Sequence, residues 1–295
     1  MESKIVIFVI NGGIGKSVMA TAVCEAIASF HKDRKLVVVT AYPEIFLNNP
    51  HIYRVYRSGV TPYFHDDYVQ GKDSLFLLED PYQSHDYIVG SKHLIETWCE
   101  AIRVPYDGQQ PKLYLTPREA QLFANQFQRD KPVLLFQPFG GAEQQAIKYS
   151  WNRDLPPQQA TRVVDCVADK YHVIQPKREG QIAVAGAEQL TVNIRELIGL
   201  VMYAKAIIGI DSCVQHIAAA LGKPATVCWI TNSPVVFGYT LHNNVQPSAK
   251  LLPNISGIDG FCQRYDFTGS RLHDFPYEVA DIFNVTEIVK NSLKT

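Results

Sequence analysis

Apolar residues along the chain fall into short unbroken runs separated by stretches with helical spacing, an alternation that predicts parallel strands joined by helices. Lys4 to Ile10 is β-branched and aromatic and stops at Asn11-Gly12-Gly13, the pattern of a buried strand entering a glycine loop. Val18, Ala22, Val23, Ala26, Ile27 and Phe30 then recur at helical spacing, so the loop opens onto a helix from Ser17 to Phe30. Leu36–Thr40 and Ser74–Leu78 read as further buried strands, with a loop-rich aromatic stretch from Tyr53 to Tyr68 between them. Between Val104 and Pro117 the chain turns Pro-rich and polar, and a helix from Pro117 to about Arg129 leads to Asp130-Lys131-Pro132. This punctuation places a domain boundary after residue 130.

The second half opens on Val133-Leu134-Leu135-Phe136 and then Gln137-Pro138-Phe139-Gly140-Gly141, an echo of the first strand and its glycine loop. A helix (Pro157 to Lys170), a strand (Tyr171 to Ile174) and a helix (Ile194 to Ala204) follow. Ala206–Ile210 is a buried strand, Asp211–Leu221 a helix, and Ala225–Ile230 a further strand. Val279, Ile282, Phe283, Val285, Ile288, Val289 and Leu293 give the tail an amphipathic stripe. The expected layout is an N-terminal Rossmann-like domain (1–130), a C-terminal one (131–276) and a terminal helix (277–295) that packs back toward the first domain.

The 295 residues suit two domains at roughly 100–200 residues each. Hydrophobic residues reach 46% and charged residues only 19%, enough apolar material for real cores and too little charge for a disordered chain. A formal net charge of −1 supplies no global basic field for nucleic acid or anionic membrane. The six cysteines contain no C-x-x-C pair, which argues against a zinc ribbon or a disulfide framework and for a reducing, cytoplasmic setting. Ile5–Ile10 is too short for a signal-peptide core or a membrane span.

Two segments carry candidate chemistry. Gly12-Gly13-Ile14-Gly15-Lys16-Ser17 ends like a phosphate-cradling Walker A loop, yet Ile10 stands where that motif needs its first glycine. A ParA-like ATPase using Lys16, Ser17 and magnesium is therefore one reading, with Asp80 or Asp211 as strand-end carboxylates for the metal. A tight strand-to-helix turn with no ligand role is the bland alternative. The second segment, Asp211-Ser212-Cys213-Val214-Gln215-His216, lies where a parallel strand gives way to a helix, so the amides of Ser212 to Val214 point to the sheet's carboxyl edge. A diphosphate suits that position, since a helix N-terminus favours an anion by about 0.3–1 kcal/mol. His216, one turn further on, is placed to donate to a phosphate or sugar oxygen. The bland alternative makes Asp211 an N-cap and His216 a core residue.

The run from Asp211 to Pro224 resembles the hallmark of glycosyltransferase family 9, the heptosyltransferase-like enzymes: Asp-Ser/Thr-Gly-x-x-His, then Ala-Ala-Ala-Leu-Gly-x-Pro, with Cys213 replacing the glycine. Gly12-Gly13-Ile14-Gly15-Lys16-Ser17-Val18-Met19-Ala20-Thr21 is similar to the same family's Gly-Gly-x-Gly-Asp-x-x-Met-Ala-Thr, and Gly140, Gly141, Lys148 and Trp151 to its strand, Pro-Gly turn and Lys-Trp pair.

The resemblance implies an α/β GT-B fold, two Rossmann-like domains with parallel sheets facing a central cleft. It implies transfer from a nucleoside-diphosphate sugar to a hydroxyl acceptor, inverting and without a metal or other cofactor. Asp211 would grip donor hydroxyls, with Ser212, Cys213, Val214 and His216 at the diphosphate, Gly140 and Gly141 beside it, Lys148 neutralising the leaving phosphate and Glu179 near the ribose. Gly12, Gly13 and Gly15 would form the acceptor-side loop. The acceptor would be a glycan or other hydroxyl compound, with nucleic acid disfavoured by the charge, and membrane contact at most peripheral. Lys16 departs from the pattern, because the family places there an Asp proposed to deprotonate the acceptor, and a protonated Lys accepts no proton. His65, Asp66, Asp67 and His85 are candidate substitutes; an anion-binding Lys16, or an inactive sugar-nucleotide-binding protein, are the alternatives.

Overall fold

The computed structural model describes residues 4–140, 153–230, 232–247 and 282–292. The chain divides into two compact units, Met1–Pro117 and Arg118–Thr295. In the first unit β1 (Lys4–Ile10) leads to α1 (Ile14–Phe30), β2 (Lys35–Thr40), β3 (Arg54–Arg57), α2 (Phe64–Tyr68), β4 (Asp73–Leu77), α3 (His85–Val89) and α4 (Leu94–Ala101). The strands form one parallel sheet in the order β3-β2-β1-β4. Ile5 to Phe8 are buried, as a strand covered on both faces requires, so β1 takes a central place. α1 is buried from Lys16 to Cys24, and on α4 the Trp98 ring meets the edge of Phe8 at 5.3 Å between centroids.

The second unit contains α5 (Pro117–Phe127), β5 (Val133–Gln137), α6 (Pro157–Val167), β6 (His172–Pro176), β7 (Glu188–Leu190), α7 (Ile194–Tyr203), β8 (Ala206–Ile210), α8 (Cys213–Ala220), β9 (Thr226–Cys228), α9 (Pro234–Phe237), β10 (Asn243–Val245) and α10 (Val285–Ser292). Its six-stranded parallel sheet runs β10-β9-β8-β5-β6-β7. Leu134, Phe136, Ile208 and Ile210 fill its centre together with Val163, Val164 and Ile288.

In both sheets the strand order reverses once, between β1 and β4 in the first and between β5 and β8 in the second. In open parallel sheets ligands settle outside the carboxyl ends of the strands at such a reversal, because the two neighbouring loops diverge there to opposite faces. The residues following β1 and β4, and those following β5 and β8, are thus singled out by topology alone.

Three expectations need adjustment. α5, which the Pro-rich punctuation assigns to the first domain, packs in the second: the Phe123 ring lies on Gly199 of α7 and Glu119 pairs with Arg195 at 2.7 Å. The stretch from Tyr53 to Tyr68 is not all loop, since it holds β3 and α2, and Tyr56 and Tyr68 are buried with Ile5, Ile7 and Val37. The helix expected from Asp211 starts at Cys213. In the tail, Ile282, Phe283, Val285 and Ile288 join the core of the second unit, and Gln159 donates to the Phe283 carbonyl at 2.8 Å. Residues 277–281 and 293–295 lie outside the described residues.

Candidate functional site

At the reversal of the second sheet, β8 ends at Ile210 and the N-cap of α8 is Ser212, in extended backbone. No side chain caps this helix, because the Ser212 hydroxyl donates instead to the Gln137 side-chain oxygen at the end of β5. That bond ties the carboxyl ends of β5 and β8 together and leaves the first amides of α8 without the side-chain acceptor that commonly satisfies them. Cys213 opens the helix; desolvation pushes its thiol up, so it stands as a neutral thiol rather than a thiolate.

Asp211 is not the N-cap. Its carboxylate turns inward at 8% exposure, where one oxygen accepts from Gln215 Nε2 at 3.1 Å and the other from Asn232 Nδ2. Burial raises its carboxyl above the ordinary aspartate range, opposed by the Asn232 hydrogen bond, the charge of Arg153 and the Gln215 hydrogen bond. Gln215 also donates to the Phe237 carbonyl at 3.1 Å, so α9 is fastened to the same carboxylate. His216 is buried, with Nδ1 2.9 Å from the Tyr239 hydroxyl.

After β5, the Gly140 amide donates to Asp154 at 2.8 Å and its carbonyl accepts from Gln181, also at 2.8 Å. The Arg153 guanidinium passes over the bare α-carbon of Gly140, and its Nε is buried without a hydrogen-bond partner among the described residues. The charge of Arg153 acts on both Asp211 and Cys213, and that of Arg178 acts on Cys213. Glu179 is exposed in the turn after β6. Gly141, Lys148 and Trp151 fall outside the described residues.

In the first unit Gly12 adopts φ +106°, which only glycine takes without strain, and Gly13 is the N-cap of α1. Gly15 belongs to the first turn of α1, and Asn11–Gly13 are exposed. Lys16 is not presented to that loop. Its side chain is 3% exposed, runs beneath Gly12, and donates to Asp80 Oδ1 at 2.8 Å while lying 4.6 Å from the Tyr82 ring and 5.0 Å from that of Trp98. A phosphate-cradling lysine needs its ammonium free toward the loop, so this geometry does not support the ATPase reading. Met19 and Ala20 are core residues, and Thr21 accepts the Lys112 amide at 3.0 Å.

Asp211 and Ser212 stand out in the sequence, whereas Gln137, Arg153, Gln215 and Asn232 come beside them only through the fold. Of the alternative bases, His65 and Asp66 are exposed on α2 and form a pair at 3.5 Å. The aromatic stretch splits: Tyr56 and Tyr68 are core, whereas Tyr63 is 79% exposed. The five described cysteines are unpaired. Among the described residues no helix is long and apolar enough to cross a membrane, and no cluster of three or more His, Cys, Asp or Glu side chains could hold a metal ion.

Residues 172–258 match the model of glycosyltransferase family 9 (heptosyltransferase). No curated protein matches the chain. Among solved structures, a glycosyl transferase family 9 protein from Veillonella parvula superposes with TM-score 0.69 at 11% identity, covering 99% of this chain and 97% of that one. The E. coli ADP-heptose LPS heptosyltransferase II gives TM-score 0.61 at 16% identity, covering 83% and 91%. An iron-containing dodecameric glycosyltransferase from enterotoxigenic E. coli gives 0.64 at 15%, covering 100% and 77%. These likenesses show the fold, an α/β GT-B type with a Rossmann-like parallel sheet in each unit. The family match falls on β6 to β10 and their loops, so the second unit holds a region similar to glycosyltransferase family 9, and the chain as a whole shares the fold of the family 9 and heptosyltransferase structures.

Proposed function

We propose that the chain moves a sugar from a nucleoside-diphosphate sugar to a hydroxyl acceptor, with inversion and without a divalent metal, and that the diphosphate lies at the N-terminus of α8. The observation that carries this reading is the coincidence of a helix N-terminus lacking a side-chain cap with a guanidinium, Arg153, whose buried Nε has no partner among the described residues. Backbone amides and a guanidinium are both donors, and the oxygens of a diphosphate are the acceptors that satisfy both. Charge-assisted bonds of this kind contribute about 1.5–3 kcal/mol each.

In the proposed reaction the acceptor hydroxyl attacks the anomeric carbon from the face opposite the diphosphate, which inverts the centre in one displacement. Negative charge grows on the leaving phosphate, where Arg153, Lys148 and the amides of Ser212 to Val214 stabilise it, the role a cation fills elsewhere. Asp211, fixed by Gln215 and Asn232, orients donor hydroxyls or holds the loop that does. Glu179, exposed in the turn after β6, is the carboxylate this reading assigns to the ribose. The likeness to heptosyltransferases makes an ADP-linked heptose the first donor to try.

A thermal-shift series with ADP, UDP, GDP, CDP, ADP-heptose and UDP-N-acetylglucosamine tests the reading, since ligand at 100 times its dissociation constant stabilises by about 2.7 kcal/mol. One nucleotide class should raise the melting temperature in the presence of EDTA, and Arg153→Ala, Lys148→Ala and Asp211→Ala should each reduce that rise. A series with no response, or a response lost only in Lys16→Met, defeats the proposal.

A further inference from the structure

We infer that Asp80 is the catalytic base of the first unit, a role that rests on the transfer reading above. Moving a sugar to a hydroxyl requires a proton acceptor, and Lys16 stands where the resemblance implies a carboxylate. The structure places a carboxylate beside it all the same. Asp80 follows β4, and the glycine loop follows β1, so the pair spans the reversal of the first sheet, as Asp211 and Gly140 span that of the second.

The two oxygens of Asp80 are unequal. Oδ1 accepts from Lys16 Nζ at 2.8 Å and from the Tyr82 amide at 3.0 Å, whereas Oδ2 receives no hydrogen bond among the described residues. The side chain is 32% exposed against 3% for Lys16, so the ammonium is the buried anchor and the carboxylate the group that solvent reaches. The anchor is itself held: the Tyr82 and Trp98 rings flank the ammonium, and Trp98 Nε1 donates to the Glu79 carbonyl at 3.1 Å, fixing the segment that carries Asp80. A carboxylate needed only to cap the short helix Pro81–Gln83 and to neutralise Lys16 does both with Oδ1 alone. Oδ2 is left over, oriented and accessible, which is the requirement for a positioned base.

In the step assigned to it, the acceptor O–H proton passes to Oδ2 as the acceptor oxygen bonds to the anomeric carbon. The anomeric C–O bond to phosphate breaks, its electron pair leaves on the nucleoside diphosphate, and the protonated carboxyl later returns its proton to solvent.

The test uses the full chain, ADP-heptose as donor and water as the smallest hydroxyl acceptor, with ADP release as turnover and calorimetric ADP affinity as the independent readout. Asp80→Asn keeps the Oδ1 contacts and should slow ADP release by at least about 100-fold with ADP affinity unchanged. Asp80→Glu should recover part of the rate. Lys16→Met/Asp80→Asn removes both charges, so it should fold as stably as wild type and remain as slow as Asp80→Asn. Wild-type rates in Asp80→Asn, or recovery in the double variant, overturn the role of Asp80 while leaving donor binding in place. A wild-type chain that binds ADP without turning over ADP-heptose also overturns it, and a chain that binds no nucleotide overturns the transfer reading and Asp80 with it.

Discussion

The guanidinium of Arg153 lies where a side chain on Gly140 would begin: a Cβ built there comes within 2.7 Å of Arg153 Cζ and 2.8 Å of its Nε. The glycine after β5 is therefore a passage for a cation rather than a turn requirement, and its φ is not in the left-handed region. Gly140→Ala should push the flexible arginine aside at little cost in folding stability and weaken nucleotide binding about as much as Arg153→Ala, on the order of 10- to 100-fold. Calorimetric titration with ADP measures both; equal affinity in Gly140→Ala and wild type would remove Arg153 from the site.

Asp211 is gripped by two amide NH2 groups, so an amide in its place points a donor at a donor. Asp211→Asn should cost about 1–3 kcal/mol in urea denaturation although it is nearly isosteric. Its carboxyl is raised in the fold, so the stability it contributes is present below the unfolded-state value and declines as pH rises through the folded one. The cost of Asp211→Asn should therefore vary across that acidic window; a cost that does not change with pH contradicts the buried carboxylate.

Glu188 behaves in the opposite sense. Arg129 and then His172 hydrogen-bond to it and hold its carboxyl at about 2, below the ordinary 4.5. Its contribution is full above the unfolded value of 4.5 and is lost as pH falls toward about 2. With the pair partly in solvent the effect is on the order of 1 kcal/mol. Glu188→Gln should be less stable than wild type at neutral pH and converge with it in acid, as followed by urea denaturation at a series of pH values; parallel curves throughout would mean the edge strand β7 does not depend on this pair.

Phe123 occupies the space above Gly199, where an added Cβ would come within 2.8 Å of Phe123 Cβ. Alanine ordinarily improves a helix interior by about 1 kcal/mol over glycine. At this position overpacking of about 1–3 kcal/mol should win, so Gly199→Ala lowers the urea midpoint. In a Phe123→Ala background the same change should become stabilising. A stabilising Gly199→Ala in the wild-type chain would show that α5 does not rest on α7.

The alternation of apolar runs determined the parallel α/β architecture, because strands covered on both faces must be continuously apolar, as Ile5–Phe8, Val133–Phe136 and Ala206–Ile210 are. Asp211-Ser212 and the glycine loop were legible for a related reason: a strand that ends in a helix N-terminus leaves a local trace in the order of residue types. β3, β7 and β10 left little trace, since edge strands as short and polar as Glu188–Leu190 and Asn243–Val245 hold their place through ladder bonds to a neighbour. The placement of α5 was hidden because a proline-rich stretch marks a break in regular structure and says nothing about which side a following helix packs on.

Only the tertiary structure decided which residues meet. Ser212 faces Gln137, Asp211 faces Asn232, and Lys16 faces Asp80 across sixty-four positions of sequence. Each of these pairs joins loops from strands that are neighbours in the sheet or from elements packed beside them, a proximity set by strand order. Residue types and local spacing carry helix and strand preferences, but strand order is fixed by how whole layers bury their apolar faces, so these partners became visible only once the chain was folded.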